Sequence, residues 1–508
     1  MFIVGKGNMA KTITEKNRSG RIGVIDIGSN TVRLVIYEAP TRLPFPLFNE
    51  KAQCGLGRSI ARTGRLDEQG VEAARHALGR FVLLAEATGV DRLELVATAA
   101  VREATDGAEF VRDIERRFGV RVDVIDGAEE AQLAARGVLS GVPDADGLLG
   151  DLGGGSLDLV VLEKGDFGRT ATLPLGHLRL AENARSSADA SRLAAGYLEQ
   201  EGWLDQIRGR NLYALGGSWR AVAGVMLDRL DWPLHVIDNF SIAPDEALDL
   251  LDYVARINPK SSPRIAGISR RRVGSLPFAA AALETLITRT CPAQLVFSGF
   301  GMREGRMLTC LPSDVRRQDP LLAGCAGHAE RSGRFSVHVE EITAWMEPLF
   351  ADANVGTPGT RLRTAASLLS DISWSVHPDY REENAFHRVL RLPFAGLSHV
   401  DRAELALSVF VRYGGDLSSP ILSRPLSLLD EREITRAVIV GRALHLAHTL
   451  SGGAPGLLSK TRLQRDRNRV VLDLGNDAAL FLSEAVERRL GRLAKSMDMK
   501  PKIVSTAD

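Results

Sequence analysis

Little in the composition of this 508-residue chain points to a membrane, an oxidising compartment or nucleic acid. Its four cysteines, Cys54, Cys291, Cys310 and Cys325, include no CxxC pair, which argues against a zinc site or a disulfide framework and favours a reducing cytoplasm. No apolar run of about 18 residues exists, so we expect no membrane span. The opening stretch is too weakly apolar for a signal peptide, and we interpret residues 1–20 as a mobile polar arm. The formal net charge of +1 excludes a general, charge-driven affinity for nucleic acid or membranes.

What the sequence does contain is a glycine-rich turn between two carboxylates, in GDLGGGSLDLVV at residues 150–161. Asp151 ends an apolar run, three glycines follow, and Asp158 comes shortly after them. An earlier stretch, VIDIGSNTVRLVI at residues 24–36, repeats this plan and begins its turn at Asp26. Two β-rich runs joined by a short glycine turn predict a β-hairpin. Two such hairpins, each opening an α/β stretch, indicate an internal duplication.

Helical and strand patterns alternate after each hairpin, as expected for an α/β protein. From about residue 316 helical patterns dominate, and the tail adds a strand pattern and a final helix at 477–497. In the first half, the periodicity predicts helices at 66–90, 106–119 and 128–141 and strands at 92–101 and 120–126. The predicted organisation is the arm at 1–20, one α/β domain at 21–143, a second at 144–314, a helical region at 315–452 and a small α+β domain at 453–508.

The glycine turns suit phosphate because backbone N–H groups can converge on a ligand where no Cβ blocks the approach. A carboxylate beside such a turn repels phosphate directly, but it can hold Mg²⁺, or a water on Mg²⁺, that neutralises the phosphate oxygens. The sequence therefore predicts Asp26, Asp151 and Asp158 as carboxylates on the metal side of the site. A single turn of this kind is usually a plain hairpin, and the second copy favours function. The phosphate-loop candidates are Ser29, Asn30, Gly153, Gly154, Gly155, Ser156, Gly216, Gly217 and Ser218.

Taken together, these motifs resemble the exopolyphosphatase and guanosine pentaphosphate phosphatase family, within the superfamily of actin, heat-shock ATPases and sugar kinases. The resemblance covers residues 21 to about 310 and is specific, because generic sugar kinases and actins lack AEEA ahead of the second glycine loop. It implies an α/β fold of two actin-like (ribonuclease H-like) domains with a cleft between them, followed by a mostly helical, degenerate HD-like region and a small α+β tail. The matching stretches are GVIDIGSNTVRLVI, ATAAVREA (97–104), IDGAEEAQLAARGV (125–138), GDLGGGSLDLVV, ALGGS (214–218) and GMREG (301–305).

The adjacent carboxylates Glu129 and Glu130 open a predicted helix, where negative charge is favoured by the helix dipole. Neighbouring helical residues point about 100° apart, so at most one of the two can face a cleft. From the residues alone, solvation of a helix N-terminus is the simpler interpretation. The resemblance reverses this, because the second Glu of the family motif is the catalytic base, and Glu130 occupies that position. A general base fits a hydrolysis in which water attacks a terminal phosphate in line.

Arg102 follows Thr98 in ATAAVREA, at a predicted strand end where a surface arginine is common. The family carries an arginine at this position, and the fork of a guanidinium suits phosphate oxygens, so we expect Arg102 and Thr98 to contact substrate. Family members usually have Glu where this chain has Asp158, so we expect this shorter side chain to reach a metal through water. The stretch SGFGMREG at 298–305 is open between a structural turn and a ligand-facing loop.

Two stretches in the C-terminal half imitate functional motifs. VVLDLGND at 470–477 repeats the DxG pattern without a glycine triplet, and we interpret it as a strand and turn. LLSDISWSVHPDY at 368–380 falls where longer family members resemble an HD-type metal phosphohydrolase. Ser370 and Asp371 stand where a His–Asp pair would be needed, so we expect no second metal-dependent hydrolase there.

The predicted function is a Mg²⁺-dependent hydrolase that removes terminal orthophosphate from inorganic polyphosphate in the cytoplasm. The resemblance also implies Mn²⁺ as an alternative metal, a monovalent cation such as K⁺, and a homodimer. Hydrolysis of guanosine pentaphosphate to tetraphosphate is the alternative within the family. A nucleotide-driven kinase or chaperone-like ATPase and a sensor without turnover are alternatives from other classes. Basic clusters at 269–272, 315–317 and 462–469 are candidates for a polyanion path or a solvated face.

Overall fold

The computed structural model describes residues 20–38, 41–43, 45–257, 273–334, 339–350 and 358–505. These residues divide into two compact units. The first unit holds the residues up to Arg229 together with Phe240–Arg317, and the second holds Leu230–Asn239 together with the residues from Gln318 onward. Apart from Gly20, the arm predicted at residues 1–20 lies outside the described residues. Within these ranges, no helix is long and apolar enough to cross a bilayer.

Two mixed β-sheets form the framework of the first unit. The first sheet contains β1 (Ile22–Ile27), β2 (Thr31–Tyr37), β3 (Pro46–Gln53), β4 (Arg92–Ala97) and β5 (Val122–Val124). The second contains β6 (Asp146–Leu152), β7 (Leu157–Glu163), β8 (Asp166–Leu173), β9 (Asn211–Leu215), β10 (Phe240–Ile242) and β11 (Leu295–Phe297).

The two sheets repeat one topology. The first runs β3-β2-β1-β4-β5, and the second runs β8-β7-β6-β9-β11 with β10 added at its edge. In both sheets three antiparallel strands come first, and the opening strand then pairs in parallel with the strand that follows a helical crossover. The predicted duplication and the predicted fold of two actin-like α/β domains are therefore confirmed.

The two opening hairpins also share their local geometry. The turn of the first is closed by a hydrogen bond from Gly28 N to Thr31 O at 3.0 Å, and the turn of the second by one from Gly153 N to Ser156 O at 2.9 Å. Buried β-branched and leucine side chains on these strands pack into the cores, which fixes the register of each hairpin. Each hairpin consequently has a carboxylate, Asp26 or Asp151, as the next-to-last residue of its first strand.

Helices cover both sheets of the first unit. They are α1 (Ile60–Thr63), α2 (Glu68–Ala87), α3 (Ala99–Glu103), α4 (Gly107–Phe118), α5 (Gly127–Gly141), α6 (His177–Asn183), α7 (Ser187–Glu199), α8 (Gly217–Arg229), α9 (Pro244–Ala255), α10 (Leu276–Thr290), α11 (Met302–Thr309) and α12 (Ser313–Arg316).

Helices α5 and α11 cross at very short range because glycines occupy the contact. A Cβ on Gly137 would lie 2.0 Å from the carbonyl oxygen of Gly301, and a Cβ on Gly305 would lie 1.9 Å from that of Leu133. Helix α11 continues onto the first sheet, where Met307 packs in the apolar cluster of β1 and β2. The crossing therefore ties the end of the second half of the unit to the first sheet.

We expect Gly137→Ala to lower the free energy of unfolding by about 1–3 kcal/mol, because the added methyl group must force the two helices apart. Thermal or urea unfolding of the purified protein measures this. The matched control is Gly196→Ala in α7, where a Cβ meets nothing within 4 Å. That change should stabilise the helix by about 0.5–1 kcal/mol. Equal effects of the two substitutions would show that the crossing is not close-packed.

Several predicted elements need correction at their ends. The strand predicted at 92–101 stops at Ala97, because Thr98 begins a helical turn and its carbonyl accepts from the N–H groups of Val101 and Arg102. The helix predicted at 477–497 is broken, since the Ser483 side chain caps a new helix by accepting from Val486 N. Strands β3 and β8 were not predicted, because outer strands exposed on one or both faces carry few apolar residues.

The second unit is mostly helical, with one small sheet. A single apolar core runs through it, and the segment Leu230–Asn239 joins it through a hydrogen bond from Trp232 Nε1 to His399 Nδ1 at 2.8 Å. The sheet has the order β12-β13-β14, formed by β12 (Arg462–Asp466), β13 (Arg469–Asp473) and β14 (Lys500–Val504). Its helices are α13 (Pro320–Ser332), α14 (Val339–Met346), α15 (Pro358–Leu368), α16 (Arg381–Arg391), α17 (His399–Arg412), α18 (Ser423–Leu426), α19 (Glu431–Ser451), α20 (Ala478–Phe481) and α21 (Glu484–Ser496).

The second unit contains the two stretches whose sequences imitate functional motifs. The DxG stretch at 470–477 is a strand followed by a single 3₁₀ turn, as predicted. At the HD-like position, Asp371 accepts hydrogen bonds from Arg412 at 2.9 Å and Arg334 at 3.1 Å. Ser370 Oγ lies 2.9 Å from His448 Nε2. Two guanidinium groups thus engage the carboxylate that an HD-type metal site would require.

Candidate active site

A cavity of about 510 Å³ opens in the first unit between the two sheets. The turns of both opening hairpins line it, together with the N-termini of α8 and α11. Most of the predicted site residues line this cavity, namely Asp26, Ser29, Asn30, Thr98, Glu130, Asp151, Gly153, Gly154, Gly155, Ser156, Gly216, Gly217 and Ser218.

Asp151 and Asp158 face each other across the second hairpin. They are directly paired in the register of β6 and β7, so their side chains share one face of the sheet. Burial and repulsion from Asp158 raise the pKa of Asp151 to about 7. Burial also raises the pKa of Asp158, to about 6. Two buried carboxylates whose pKa values are both raised form a place where a cation would be stabilised.

Asp158 lies behind the cavity wall rather than on it, with 4% of its surface exposed. The Thr172 hydroxyl donates to its Oδ1 at 2.7 Å, and the Ser156 hydroxyl lies 3.4 Å from its Oδ2. Thr172 is a residue that the sequence motifs did not indicate. These contacts hold the Asp158 carboxylate at the back of the second loop.

Glu130 projects from the first turn of α5 into the cavity. This helix starts where Asp126 caps it by accepting from Glu129 N at 2.8 Å. Burial, together with the negative charges of Asp158 and Asp151, raises the pKa of Glu130 to about 8. Its neighbour Glu129 points elsewhere, toward Arg306, as the helical geometry predicts. A carboxylate with a pKa near neutrality suits a general base.

Arg102 lies beside Glu130 but does not line the cavity. Its Nη1 donates to the carbonyl oxygen of Ile125 at 2.8 Å and is 3.5 Å from Glu130 Oε2. The main-chain contact fixes the guanidinium at the start of α5. Arg102 is therefore placed to hold the Glu130 carboxylate in position.

Asp26, also in the cavity lining, lies among cations. It is paired with Arg33 across the first hairpin, and Arg303 Nε from α11 lies 3.8 Å from its Oδ2. Burial raises the pKa of Asp26 although both arginines oppose the shift. Burial and the nearby charges of Arg303 and Arg220 lower the pKa of Arg33 to about 10, so it stays charged at neutral pH.

The two hairpins thus match in position but differ in charge. Aligned at their turns, Asp26 corresponds to Asp151, and Arg33 corresponds to Asp158. The first hairpin compensates its carboxylate with an arginine, whereas the second leaves two carboxylates together. The cavity lining therefore combines carboxylates with arginines.

His177 holds the second glycine loop, residues 153–156, through its first carbonyl oxygen. Its backbone N–H donates to the Gly153 carbonyl oxygen at 3.1 Å, and its Nδ1 lies 2.8 Å from the same oxygen. Since a carbonyl can only accept, Nδ1 carries the proton. Leu178 N donates to Gly154 O at 3.0 Å. The carbonyl oxygens of Gly153 and Gly154 are thereby engaged in hydrogen bonds.

The third loop requires glycine at Gly216. Its φ of +109° is a conformation that other residues rarely adopt, and a Cβ would lie 2.5 Å from the carbonyl oxygen of Leu152. This close approach brings the N-terminus of α8, with Gly217 and Ser218, against the end of β6. Helix N-termini favour anions because their free N–H groups point outward.

The cavity cations were largely missed by the sequence reasoning, which looked for basic clusters. Of the three clusters, 269–272 lies outside the described residues, 315–317 lies at α12, and 462–469 lies on the β12–β13 hairpin. The described basic side chains that line the cavity are instead single residues, Arg33, Lys51, Arg58, Arg220 and Arg303. Arg33 could have been found by aligning the two hairpins, and Arg220 and Arg303 by their places just after glycine turns.

In the absence of metal, we expect Glu130 to make the protein less stable as the pH rises. Its pKa of about 8 in the folded protein exceeds the ordinary value of 4.5, so the folded state binds more protons between these pH values. The free energy of unfolding contributed by this group is therefore highest below pH 4.5 and is lost as the pH passes 8. Denaturant unfolding in a chelator, for wild type and Glu130→Gln, measures the difference. A wild-type advantage that grows with pH would contradict the expectation.

Comparison with known proteins agrees with this geometry. The model of the Ppx/GppA phosphatase family matches residues 35–314. The chain belongs to the Ppx/GppA phosphatase family. The model "Exopolyphosphatase, C-terminal" matches residues 328–504, so family resemblance extends over the helical unit as well. The family assignment made from the motifs is confirmed.

The proteins similar in sequence to this chain include ones with different names. Retrograde regulation protein 2 of Saccharomyces cerevisiae is 25% identical over 457 residues, covering 80% of this chain and 75% of that protein. Exopolyphosphatase 1 of Mycobacterium leprae is 24% identical over 320 residues, covering 58% of this chain and 91% of that protein. The chain thus resembles one relative over most of its length and another over a little more than half of its length.

Solved structures support the fold of the first unit. An exopolyphosphatase from Cytophaga hutchinsonii superposes with a TM-score of 0.53 at 24% identity, over 57% of this chain and 99% of that one. The Aquifex aeolicus member of the Ppx/GppA family superposes with a TM-score of 0.51 at 23% identity, over 57% and 96%. At this identity the similarity supports the fold alone.

Proposed function

We propose that this member of the Ppx/GppA family is an exopolyphosphatase, a hydrolase that releases terminal orthophosphate from inorganic polyphosphate. The observation that carries the proposal is the lining of the cavity, which brings the carboxylates Glu130 and Asp151 together with the cations Arg33, Arg220 and Arg303. The end of a polyphosphate chain has one reacting phosphorus, and a series of further charged phosphates follows it along the chain. The carboxylates suit the reaction at the terminal phosphate, and the cations suit the negatively charged phosphates that follow it.

The described lining of the cavity favours polyphosphate over a nucleotide. Among its described residues there is no Phe, Tyr or Trp, and His177 is the one aromatic ring. A guanine base is usually held by stacking on such rings, whereas a polyphosphate needs only cations and N–H donors. Guanosine pentaphosphate remains the second candidate, because its 5′ end offers the same terminal phosphoanhydride.

The donor set fits a divalent cation such as Mg²⁺. Within the described ranges, no group of three or more His, Cys, Asp and Glu side chains is arranged to hold a metal ion. Mg²⁺ commonly takes only one or two carboxylates and completes its coordination with water and substrate phosphates. Asp151 would hold it directly, with Asp158 behind. When bound, the cation would supply positive charge to the phosphoryl oxygens and favour the ionised form of the carboxylates around it.

The reaction assigned to these residues is an in-line attack of water on the terminal phosphorus. Glu130 removes a proton from the water, and the new P–O bond forms as the bridging P–O bond to the next phosphate breaks. The shortened chain leaves with the bridging oxygen, and orthophosphate is the second product. Loop N–H groups at Gly154, Gly155 and Gly217 hold the phosphoryl oxygens, and Arg102 keeps Glu130 oriented.

The narrower expectations from the family resemblance are also proposals. They are the choice of Mg²⁺ over Mn²⁺, an additional K⁺, a homodimer, a cytoplasmic location and a part in the stringent response through guanosine tetra- or pentaphosphate. The carboxylates of the first unit are hard oxygen donors, which suit Mg²⁺ and Mn²⁺ alike.

A direct comparison of substrates tests the proposed function. Purified protein with Mg²⁺ is given long-chain polyphosphate or guanosine pentaphosphate, and released orthophosphate is measured over a concentration series. We expect a higher kcat/KM for polyphosphate. A higher kcat/KM for guanosine pentaphosphate would make the second candidate the function. Binding of either without phosphate release would identify a sensor.

A further inference from the structure

Tyr37 and Glu304 form a buried contact next to Arg303, one of the arginines that line the cavity. Tyr37 ends β2 and is 4% exposed, and its hydroxyl donates to Glu304 Oε1 at 3.0 Å. The other oxygen of this carboxylate, Oε2, accepts from Gly301 N at 2.9 Å. Both oxygens of Glu304 are therefore engaged in the first turn of α11.

This contact matters because the first turn of a helix has backbone N–H groups without helical partners. Here the residue before the helix is Gly301, which has no side chain to cap it. The cap comes only from Glu304, which Tyr37 holds in turn. The direction of the first turn of α11 thus depends on a hydroxyl group of the first sheet.

Arg303 belongs to that same turn and points into the cavity. Its side chain is 12% exposed, and its Nε lies 3.8 Å from Asp26 Oδ2. Neither Tyr37 nor Glu304 lines the cavity. Of the three residues Gly301, Met302 and Arg303 that line the cavity from this segment, Arg303 is the charged one, so it is the group through which the two residues would act on an anionic ligand. The Tyr37 ring also packs in one cluster with Met307 of α11 and with Leu311, which follows that helix, so its hydroxyl can be removed while its packing remains.

We propose that Tyr37 and Glu304 are positioning residues, which hold the Arg303 guanidinium in place to bind the phosphates behind the reacting one. The proposal rests on the proposed function, because Arg303 then contacts the trailing part of a polyphosphate. Burial raises the pKa of Tyr37, so its hydroxyl remains a donor throughout the neutral range.

Tyr37→Phe, Arg303→Ala and the double variant test the proposal. We expect Tyr37→Phe to raise KM for polyphosphate about three- to tenfold, a change within the net value of a typical hydrogen bond, with kcat changed less than about twofold. The dissociation constant of inorganic tripolyphosphate, measured calorimetrically in a chelator, should rise by the same factor. In the Arg303→Ala background, Tyr37→Phe should change neither quantity further.

The matched control is Tyr213→Phe, which removes another buried tyrosine hydroxyl of the same unit, one that lies 3.3 Å from Asp146 N. It should leave KM unchanged, and thermal unfolding should verify that every variant is folded. An equal KM for Tyr37→Phe and Tyr213→Phe would overturn the proposal, as would a full effect of Tyr37→Phe without Arg303. If wild type releases no phosphate from polyphosphate, the proposed function fails, and the tripolyphosphate measurement still decides the positioning role.

Discussion

Glu130→Gln should lose about 10²–10⁴-fold in kcat for phosphate release, the range expected when a general base is removed. Glutamine keeps the shape and hydrogen-bonding capacity of the side chain but cannot accept the proton of the attacking water. The substitution also removes a buried carboxylate whose pKa is raised to about 8, so it should not destabilise the fold at pH 8. Steady-state phosphate release and thermal unfolding at this pH measure the two effects together.

The control for this experiment is the neighbouring residue. Glu129→Gln removes the same charge from the same helical turn, but Glu129 is 46% exposed and lies toward Arg306 rather than the cavity. Its kcat should remain within about twofold of wild type, as for other exposed ion pairs. Comparable losses for Glu129→Gln and Glu130→Gln would remove the assignment of Glu130 as the base.

Asp151→Asn should be the second most damaging change. A neutral amide at this position weakens the site for a divalent cation, whose charge stabilisation is worth several kcal/mol, and we expect a loss of about 10²-fold or more in kcat/KM at a fixed metal concentration. Part of the loss should be recovered by raising Mg²⁺. A titration of activity against free Mg²⁺ measures this shift.

Asp146 offers the matched control, because it lies on the same strand and carries the same charge. It forms an ion pair with Arg210 and is 39% exposed, outside the cavity lining. Asp146→Asn should leave the Mg²⁺ requirement unchanged. If Asp151→Asn has the same Mg²⁺ dependence as wild type, Asp151 does not hold the metal.

Much of the first unit was readable from its sequence because its hairpins are local structures. The position of Asp151 opposite Asp158 follows from the length of one turn, and the repeat of that turn at Asp26 revealed the duplication. The role of Glu130 was less accessible. Its residue type and helical position left solvation as the simpler interpretation, and only the family motif selected the second glutamate.

The basic residues that line the cavity could not be predicted in the same way. Arg303 reaches Asp26 because α11 crosses α5 at Gly137 and returns to the first sheet. Such a contact depends on tertiary packing rather than on any local pattern. The search for clustered arginines consequently selected 315–317 and 462–469, which are not among the residues that line the cavity, while single arginines from different elements converge on it.

The C-terminal unit shows the same limit at Asp371. The sequence revealed that the His–Asp pair of an HD-type site is replaced by Ser370 and Asp371. It did not reveal that Arg334, which lies just after α13, and Arg412, at the end of α17, would engage the carboxylate. Local substitutions are visible in a sequence, whereas the partners that compensate them are chosen by the fold.

The central claim is that this protein removes phosphates one at a time from the end of polyphosphate. ³¹P NMR of a long-chain polyphosphate sample, followed during incubation with the protein and Mg²⁺, tests it most directly. We predict that the orthophosphate signal grows, the signal of internal phosphates falls and the number of chain ends stays constant until the chains are short. A rise in chain ends from the start would indicate internal cleavage, and an unchanged spectrum would indicate no hydrolysis; either result would contradict the claim.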